Sequence, residues 1–224
     1  MIYIILDTEL TGEERRTIVR AAEEAQPMFP GCRLKVVAPG ESPEDEAIRK
    51  SIDSWFRNSR QDNGRYDASV VLGNMKELAK RRKEARAILM FTGRDLCMSS
   101  HKLPWCFGAS RVRGGRAVCS VYRYRSLSAP ERLRCIRRTM MHEIGHAFGL
   151  AADLKRKNTA EHAGPHCTAP GCCMRQTADL PKLLACSLEE EQKGTYFCPD
   201  CREELRQALS KPTNEEGCAR ESGG

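Results

Sequence analysis

Apolar positions in the first part of the chain form short runs that alternate with amphipathic stretches. Continuous apolar runs at residues 1–6 and 87–91, and the alternating segment 33–37, predict strands. Thr11 followed by Glu14 has the spacing of a capping box, which predicts the start of a helix after the first strand. Strands and helices that alternate in this order favour an α/β fold in which helices cover a sheet.

Residues 66–124 combine one more helix with two extended segments. Apolar side chains recur at helical spacing in the first part, at Val70, Val71, Met75 and Leu78. The segments 103–109 and 116–124 are extended, and the glycine pair between them indicates a turn and therefore a hairpin. The expected fold class is α/β with a mixed sheet.

The most clearly marked helix is expected over residues 129–149. Ser128 and Glu131 have capping-box spacing, Pro130 lies in the first turn, and Gly149 can end the helix in a left-handed conformation. Its apolar face is formed by Leu133, Ile136, Met140, Ile144 and Ala147. The helix therefore packs on the core with one face and leaves another face for polar residues.

Composition places the chain among soluble globular proteins. Of its 224 residues, 40% are hydrophobic and 30% are charged. The first apolar run is interrupted by Asp7 and has no basic leader, and no segment is long enough to span a membrane. We therefore expect a cytoplasmic or nuclear protein that is not secreted and has no membrane partner. In such a reducing compartment the 12 cysteines are better suited to metal binding than to disulfides.

The net charge of +7 arises from 37 basic and 30 acidic residues, with basic runs at 80–83 and 155–157. Such runs can attract nucleic acid or acidic partners through long-range fields. No aromatic residues interleave with them, so a base-stacking surface is not indicated. We interpret the runs as solvated faces and do not expect a nucleic-acid partner.

The predicted helix carries His142 and His146 one turn apart, so both imidazoles project in the same direction and can bind one ion. Glu143 can lean over that ion without binding it. Zinc held by three neutral protein ligands keeps a position for water and lowers the pKa of that water to about 7. Glu143 would accept the water's proton and pass it to the leaving amine. The motif predicts a zinc metallopeptidase. The alternative is a pair of histidines that are merely satisfied polar groups, or whose spacing is accidental.

A second metal site is indicated by cysteines further along the chain. Cys167 and Cys172 form one hook, and Cys198 and Cys201 form a second hook of the C-x-x-C type. Four thiolates from two such hooks are typical of a closed structural zinc site. Cys173 is the alternative to Cys172. The remaining cysteines are expected to be buried or free thiols: Cys32, Cys97, Cys106, Cys119, Cys135, Cys186 and Cys218.

Together these motifs resemble those of the archaemetzincin family. The family pattern joins His-Glu-x-x-His-x-x-Gly-x-x-His to Cys-x-x-x-x-Cys-x-Met and then to Cys-x-x-Cys. The residues that match it in order are His142, Glu143, His146, Gly149, His166, Cys167, Cys172, Met174, Cys198 and Cys201. The resemblance implies a zincin-like mixed α/β sheet with an active-site helix and a C-terminal part stabilised by zinc.

The same resemblance implies a cofactor and a substrate class. We expect two Zn²⁺ ions per chain, one catalytic and one structural, with Met174 packed beneath the catalytic ion. The expected substrates are peptides or proteins, and some family members are regarded as aminopeptidases. The motifs carry no signal for cleavage preference or oligomeric state.

The chain departs from the family pattern after Gly149. The third histidine of the short pattern would stand at Ala152, whereas 16 residues separate Gly149 from His166. We interpret residues 150–165 as an inserted loop, because the cost of loop closure rises only as about (3/2)RT ln n. His166 is preferred as the third ligand because it adjoins Cys167. Asp153 and His162 are the other candidates. The stretch between Met174 and Cys198 is also longer than in the family.

The expected organisation is a single domain over residues 1–211. Its upper part comprises residues 1–150, and the inserted loop is followed by a C-terminal part at 166–211 and a flexible tail at 212–224. Two other functions are compatible with the motifs: a catalytically impaired scaffold or binding protein stabilised by zinc, and a zinc-ribbon protein that binds nucleic acid. The retained Glu143 favours the enzyme, since a purely structural histidine site does not require it.

Overall fold

The computed structural model describes residues 1–38 and 43–211, with only the backbone of 43–46, so the expected tail at 212–224 lies outside the described residues. The helices in this part of the chain are α1 (Gly12–Ala25), α2 (Pro43–Ser59), α3 (Ala68–Arg81), α4 (Ala129–Phe148), α5 (Leu180–Lys193) and α6 (Pro199–Ser210). The strands are β1 (Ile2–Leu6), β2 (Leu34–Val37), β3 (Tyr66–Asp67), β4 (Ala87–Thr92), β5 (Leu96–Met98), β6 (Leu103–Cys106), β7 (Gly108–Arg111), β8 (Arg116–Ser120), β9 (Thr159–Glu161) and β10 (Pro165–Cys167). Across the described ranges, no helix has the length and apolar character needed to cross a membrane.

The main sheet has five strands in the order β2-β1-β4-β8-β7. Its first four strands are parallel, and β7 pairs antiparallel with β8 at the edge. Every residue of β1 and β4 is buried, which explains why both read as continuous apolar runs. Ile4 packs in the cluster with α1 and α4, whereas Ile5 packs in the cluster with α2 and α3. The expected mixed α/β sheet is confirmed.

The extended segment predicted at 103–109 is not one strand. The chain leaves β6 at Phe107 and enters a different sheet as β7. β6 belongs to a three-stranded sheet in the order β3-β5-β6, whereas β7 forms the predicted hairpin with β8. The second segment, 116–124, is also shorter than predicted, because β8 ends at Ser120 and a 3₁₀ turn follows.

Of the four apolar residues that recur at helical spacing in α3, Val70 lies outside the buried face. Its side chain is 38% exposed, whereas Val71, Met75 and Leu78 are buried. An α-helix has 3.6 residues per turn, so two adjacent apolar positions diverge by about 100° and cannot both face the same core.

The region interpreted as a plain inserted loop contains a strand. β9 pairs antiparallel with β10, and His166 lies opposite Ala160 in this hairpin. After the hairpin, α5 and α6 complete the described chain. Ion pairs fasten α5 to α4, among them the buried pair of Arg138 and Glu190 at 3.0 Å. The long stretch between Met174 and Cys198 is thus occupied by a helix that packs on the back of α4.

Candidate functional site

Helix α4 positions His142 and His146. A capping box at Ser128 and Glu131 begins the helix, and Gly149 ends it with φ of 87°, as its sequence predicts. Within the helix the two Nε2 atoms lie 3.1 Å apart. The histidine pair therefore converges on one point in the manner expected from its spacing.

His166 joins this pair from β10. Each of the three imidazoles offers a ligand nitrogen within 4.8 Å of the others. Within the described ranges, the group contains neither Asp153 nor His162. Asp153 is exposed, and its Oδ1 accepts a hydrogen bond from the backbone N–H of Lys155 at 2.9 Å. The structure thus brings together the three histidines preferred from the sequence.

The hydrogen bonds of two imidazoles leave their Nε2 atoms free for a metal. Nδ1 of His142 lies 2.8 Å from the carbonyl oxygen of Cys173, and Nδ1 of His166 lies 2.8 Å from that of Gly164. A carbonyl oxygen only accepts, so Nδ1 carries the proton in both rings and Nε2 presents its lone pair. This arrangement is usual behind metal-binding histidines.

Burial keeps the three imidazoles neutral. It lowers the pKa of His142 and His166, and it lowers the pKa of His146 to about 3. Neutral imidazole is the form that binds a metal. Three neutral rings with converging nitrogens therefore fit a divalent ion such as zinc, which accepts nitrogen ligands in this number.

Glu143 lies beside the imidazoles, with only 5% of its surface exposed. The Ser110 hydroxyl of β7 contacts its carboxylate and also lies 2.9 Å from its backbone carbonyl oxygen. Burial raises the pKa of Glu143 to about 7, against the opposing effect of the Ser110 hydrogen bond. A Cβ atom at Gly108 would lie 2.7 Å from Glu143 Oε1, so the edge strand approaches the carboxylate as closely as glycine allows. No motif in the sequence marks Ser110.

Met174 is fully buried and packs against α4 between the two helix histidines. A methyl group at Gly145 would overlap Met174 Sδ and would lie 3.2 Å from its Cε. The carbonyl oxygen of Met174 also accepts the backbone N–H of Cys167 at 3.1 Å. The side chain therefore packs on the turn of α4 that carries both histidines.

The four cysteines of the two predicted hooks form one group. The sulfurs of Cys167, Cys172, Cys198 and Cys201 all lie within 4.8 Å of one another. Cys167 Sγ accepts from the backbone N–H of Ala169 at 3.4 Å, and contacts with the neighbouring thiols lower the pKa of Cys167. Cys173 lies outside this group within the described ranges, and its thiol donates to the carbonyl oxygen of Arg138 at 3.3 Å. Four converging sulfurs fit a structural zinc site.

The other cysteines in the described ranges are free thiols. Cys186 is half-buried, and the buried members are Cys32, Cys97, Cys106, Cys119 and Cys135. Cys218 lies in the part of the chain that the structure leaves undescribed.

A cleft of about 550 Å³ opens above the histidines. Its walls include β7, the β9–β10 hairpin and the segment that follows Met174. Trp105, Phe107 and Leu183 give it apolar surface, whereas Glu143 and Glu161 are its acidic residues within the described ranges. The cleft can hold a short extended chain across the metal site.

The histidine group and the cysteine group are joined by short connections. His166 and Cys167 are neighbours on β10, and the carbonyl oxygen that orients His142 belongs to Cys173, next to Cys172. The cysteine group is thus adjacent in sequence both to His166 and to the carbonyl oxygen that orients His142.

Comparison with known proteins gives two similar sequences and several similar structures. No family model matches the chain. An archaemetzincin from Methanopyrus kandleri is 28% identical over 148 residues, which cover 66% of this chain and 70% of that protein. An archaemetzincin from Pyrobaculum aerophilum is 35% identical over 68 residues, 30% of each chain. The crystal structure of the Methanopyrus kandleri protein covers 94% of this chain and 95% of its own, at a TM-score of 0.67 and 20% identity. The resemblance to the archaemetzincins is confirmed.

Two further structures share the archaemetzincin fold. A zinc-dependent peptidase from Methanocorpusculum labreanum covers 92% of this chain and 100% of its own, with a TM-score of 0.64 and 20% identity. An archaemetzincin from Archaeoglobus fulgidus covers 91% of this chain and 99% of its own, with a TM-score of 0.57 and 19% identity. The archaemetzincin fold therefore includes the C-terminal helices as well as the main sheet.

Proposed function

We propose that this protein is a zinc metallopeptidase of the metzincin type that hydrolyses peptide bonds in peptides or proteins. The observation that carries the proposal is the convergence of His142, His146 and His166 beside the buried carboxylate of Glu143, at the base of a cleft. The names of similar proteins support it, since they include archaemetzincins and a zinc-dependent peptidase.

In this proposal the three histidines hold the catalytic ion through Nε2. When bound, zinc supplies Lewis-acid chemistry that acidifies water and polarises a carbonyl group. Glu143 acts as general base: its carboxylate takes a proton from water and delivers it to the nitrogen of the departing amine. Ser110 holds one oxygen of that carboxylate, and Gly108 leaves room for it.

A second zinc ion in the cysteine group completes the proposal. Cys167, Cys172, Cys198 and Cys201 would hold this ion as thiolates, and four such ligands would give it a structural role. The alternative of a catalytically impaired binding protein predicts occupancy of the cysteine group alone. Metal content therefore separates the two functions.

Aminopeptidase activity is the narrower proposal. Glu161 lies on the hairpin that carries His166 and lines the same cleft. Its carboxylate can pair with the α-amino group of a peptide whose first residue occupies the site. A series of peptides with free or acetylated N-termini tests this, and equal cleavage of both would exclude it.

The test of the main proposal is cleavage of a diverse peptide library by native protein and by Glu143→Gln. The amide has the same shape but cannot accept the proton, so we expect kcat/KM to fall by about 10²- to 10⁴-fold. Glu77→Gln, a change at an exposed position of α3, serves as the matched control and should leave activity unchanged. Equal activity of native protein and Glu143→Gln would refute the assigned mechanism.

Zinc content measured on the same proteins gives an independent reading. We expect about two ions per native chain, and loss of one on changing His142 or His146 to Ala. A single ion that is indifferent to these changes would contradict the enzyme and favour the zinc-stabilised binding protein.

A further inference from the structure

Residues 150–165, hereafter the insertion, stand where the family pattern has only a short step to its third histidine. In this chain the insertion packs against the cysteine group. Nη2 of Arg156 lies 3.3 Å from Cys201 Sγ, and Nη1 lies 2.9 Å from Oε1 of Glu204. One guanidinium thus contacts both a sulfur of the group and the next turn of α6.

Other contacts fasten the insertion to the same helix. The side-chain amide of Asn158 donates to Asp200 at 2.7 Å, and the backbone N–H of Ala151 donates to Glu204 at 2.8 Å. The carbonyl oxygen of Asn158 accepts the backbone N–H of Thr168 at 2.8 Å. The insertion is therefore tied to α6 along its first half, between residues 151 and 158.

Charge explains why an arginine suits this position. Four thiolates outweigh the charge of one zinc ion, so an occupied cysteine group is anionic and needs hydrogen-bond donors around it. Backbone N–H groups approach Cys167 and Cys172, and Arg156 approaches Cys201. Among these donors only the guanidinium carries a positive charge.

The insertion leads directly into the strand that delivers the third histidine. Thr159 follows Asn158 and pairs with Cys167, and Ala160 pairs with His166. Any displacement of Arg156 from α6 would shift β9 and, through this pairing, His166 on β10. In place of the short connection of the family pattern, this chain has a longer segment that is held by contacts with α6.

We propose that Arg156 is a positioning residue for both metal sites. Its guanidinium compensates the charge of the occupied cysteine group and clamps the insertion to α6, which keeps His166 at the histidine group. The inference rests on the proposed function in one respect only, that both groups bind zinc.

The experiment measures zinc release from the full zinc-loaded chain into a chromophoric chelator, in a Glu143→Gln background that prevents self-cleavage. Arg156→Gln removes the charge and the contact with Cys201. We expect zinc to leave the cysteine group about 10-fold faster, within the range usual for lost outer contacts of a metal site. Lys155→Gln is the matched control, because Lys155 is exposed in the same insertion and loses the same charge. It should release zinc at the native rate.

Cobalt substitution assigns the effect to a site, since thiolate ligands give a charge-transfer band that imidazoles lack. In Arg156→Gln we expect that band to decay faster than in Lys155→Gln. In a titration with cobalt, we also expect the histidine group of Arg156→Gln to bind the ion more weakly than that of Lys155→Gln. Arg156→Lys keeps a positive charge, but its single ammonium group cannot contact Cys201 and Glu204 together. Its rate of zinc release should therefore lie between those of Arg156→Gln and Lys155→Gln. This milder variant carries the test if Arg156→Gln does not fold.

Two outcomes overturn the inference. One is that Arg156→Gln and Arg156→Lys both release zinc at the same rate as Lys155→Gln. The other is a cobalt titration in which the histidine group of Arg156→Gln binds cobalt as tightly as that of Lys155→Gln, since Arg156 would then not position His166. Both leave the proposed function intact, which fails separately if native protein binds no ion at its histidine group.

Discussion

At the residue scale, the carboxylate of Glu143 fits between its own helix and the edge strand because β7 begins with glycine. The Ser110 hydroxyl, two positions along that strand, holds the carboxylate from above. The side chain is therefore fixed by groups that lie outside the motif containing it. General-base catalysis depends on such placement.

Gly108→Ala should impair hydrolysis without emptying the metal site. The added Cβ would come within 2.7 Å of Glu143 Oε1, so the carboxylate must move. A displacement of about 1 Å can cost about 10²-fold in rate, and we expect a loss of that order in kcat/KM. Steady-state kinetics and zinc analysis check this.

Gly73→Ala is the matched control for that change. Gly73 lies in α3 with no atom within 4 Å of an added Cβ, so the variant should retain full activity. Wild-type kinetics in Gly108→Ala would show that the close approach of β7 does not position Glu143.

The sequence predicted His142, Glu143 and His146 because ligands on one helix form a local pattern. Ser110 could not be predicted in the same way. It lies 33 positions from Glu143, and their contact exists only once β7 has joined the sheet. Long-range packing of this kind leaves no trace in a short motif.

At the element scale, helix starts were the most predictable features. The capping boxes at Thr11 and Ser128 are both present, because each depends on residues within one turn. Strand boundaries were less predictable. Residues 103–109 have one extended pattern but serve two sheets, and the three-residue strands β9 and β10 are defined only by their pairing. Sheet membership depends on the partner strand, which the local sequence does not contain.

The capping box of α1 predicts how stability changes with pH. Burial tends to raise the pKa of Glu14, but hydrogen bonds from Arg125 and from the Thr11 backbone outweigh it, and the net pKa is lowered from 4.5. A lowered folded-state pKa means that the stabilisation is complete above the unfolded value and is lost as the pH falls through the folded value. Glu14→Gln should therefore lower the free energy of unfolding by about 1 kcal/mol at pH 7. The loss should become smaller as the pH falls below the pKa of Glu14 in the unfolded chain.

Urea unfolding of both proteins across this pH range gives the comparison. Glu23→Gln changes an exposed residue of the same helix and should show no such pH-dependent difference. A constant difference between native protein and Glu14→Gln down to acidic pH would contradict the assignment.

At the scale of the whole molecule, the histidine group and the cysteine group share one short stretch of chain. Residues 166 and 167 belong to different groups, and residues 172–174 supply a thiol, a carbonyl oxygen and the packed methionine. The order of these residues was predictable from the family pattern. The route of the insertion was not, because it depends on contacts with α6 that no motif encodes.

Cys198→Ser should disable the histidine site from a distance. Loss of one thiolate weakens the structural ion, and β10 then loses the anchor that adjoins His166. We expect zinc content to fall by more than one ion per chain and peptidase activity to be lost. Thermal unfolding should shift to lower temperature, and metal analysis with scanning calorimetry checks both effects.

Cys186→Ser provides the comparison, since this half-buried thiol lies outside the cysteine group. It should keep both ions and full activity. If Cys198→Ser keeps the ion of the histidine group, the histidine group does not depend on the cysteine group, and the prediction is wrong.

The anchoring of His166 by Cys198 and Cys201 has a consequence for the order of events during translation. The helix with His142, Glu143 and His146 leaves the ribosome some fifty residues before those two cysteines. Until α6 has emerged, the cysteine group beside His166 lacks two of its four sulfurs. In the proposed function, a growing polypeptide would therefore lack a complete hydrolytic centre until α6 has emerged from the ribosome.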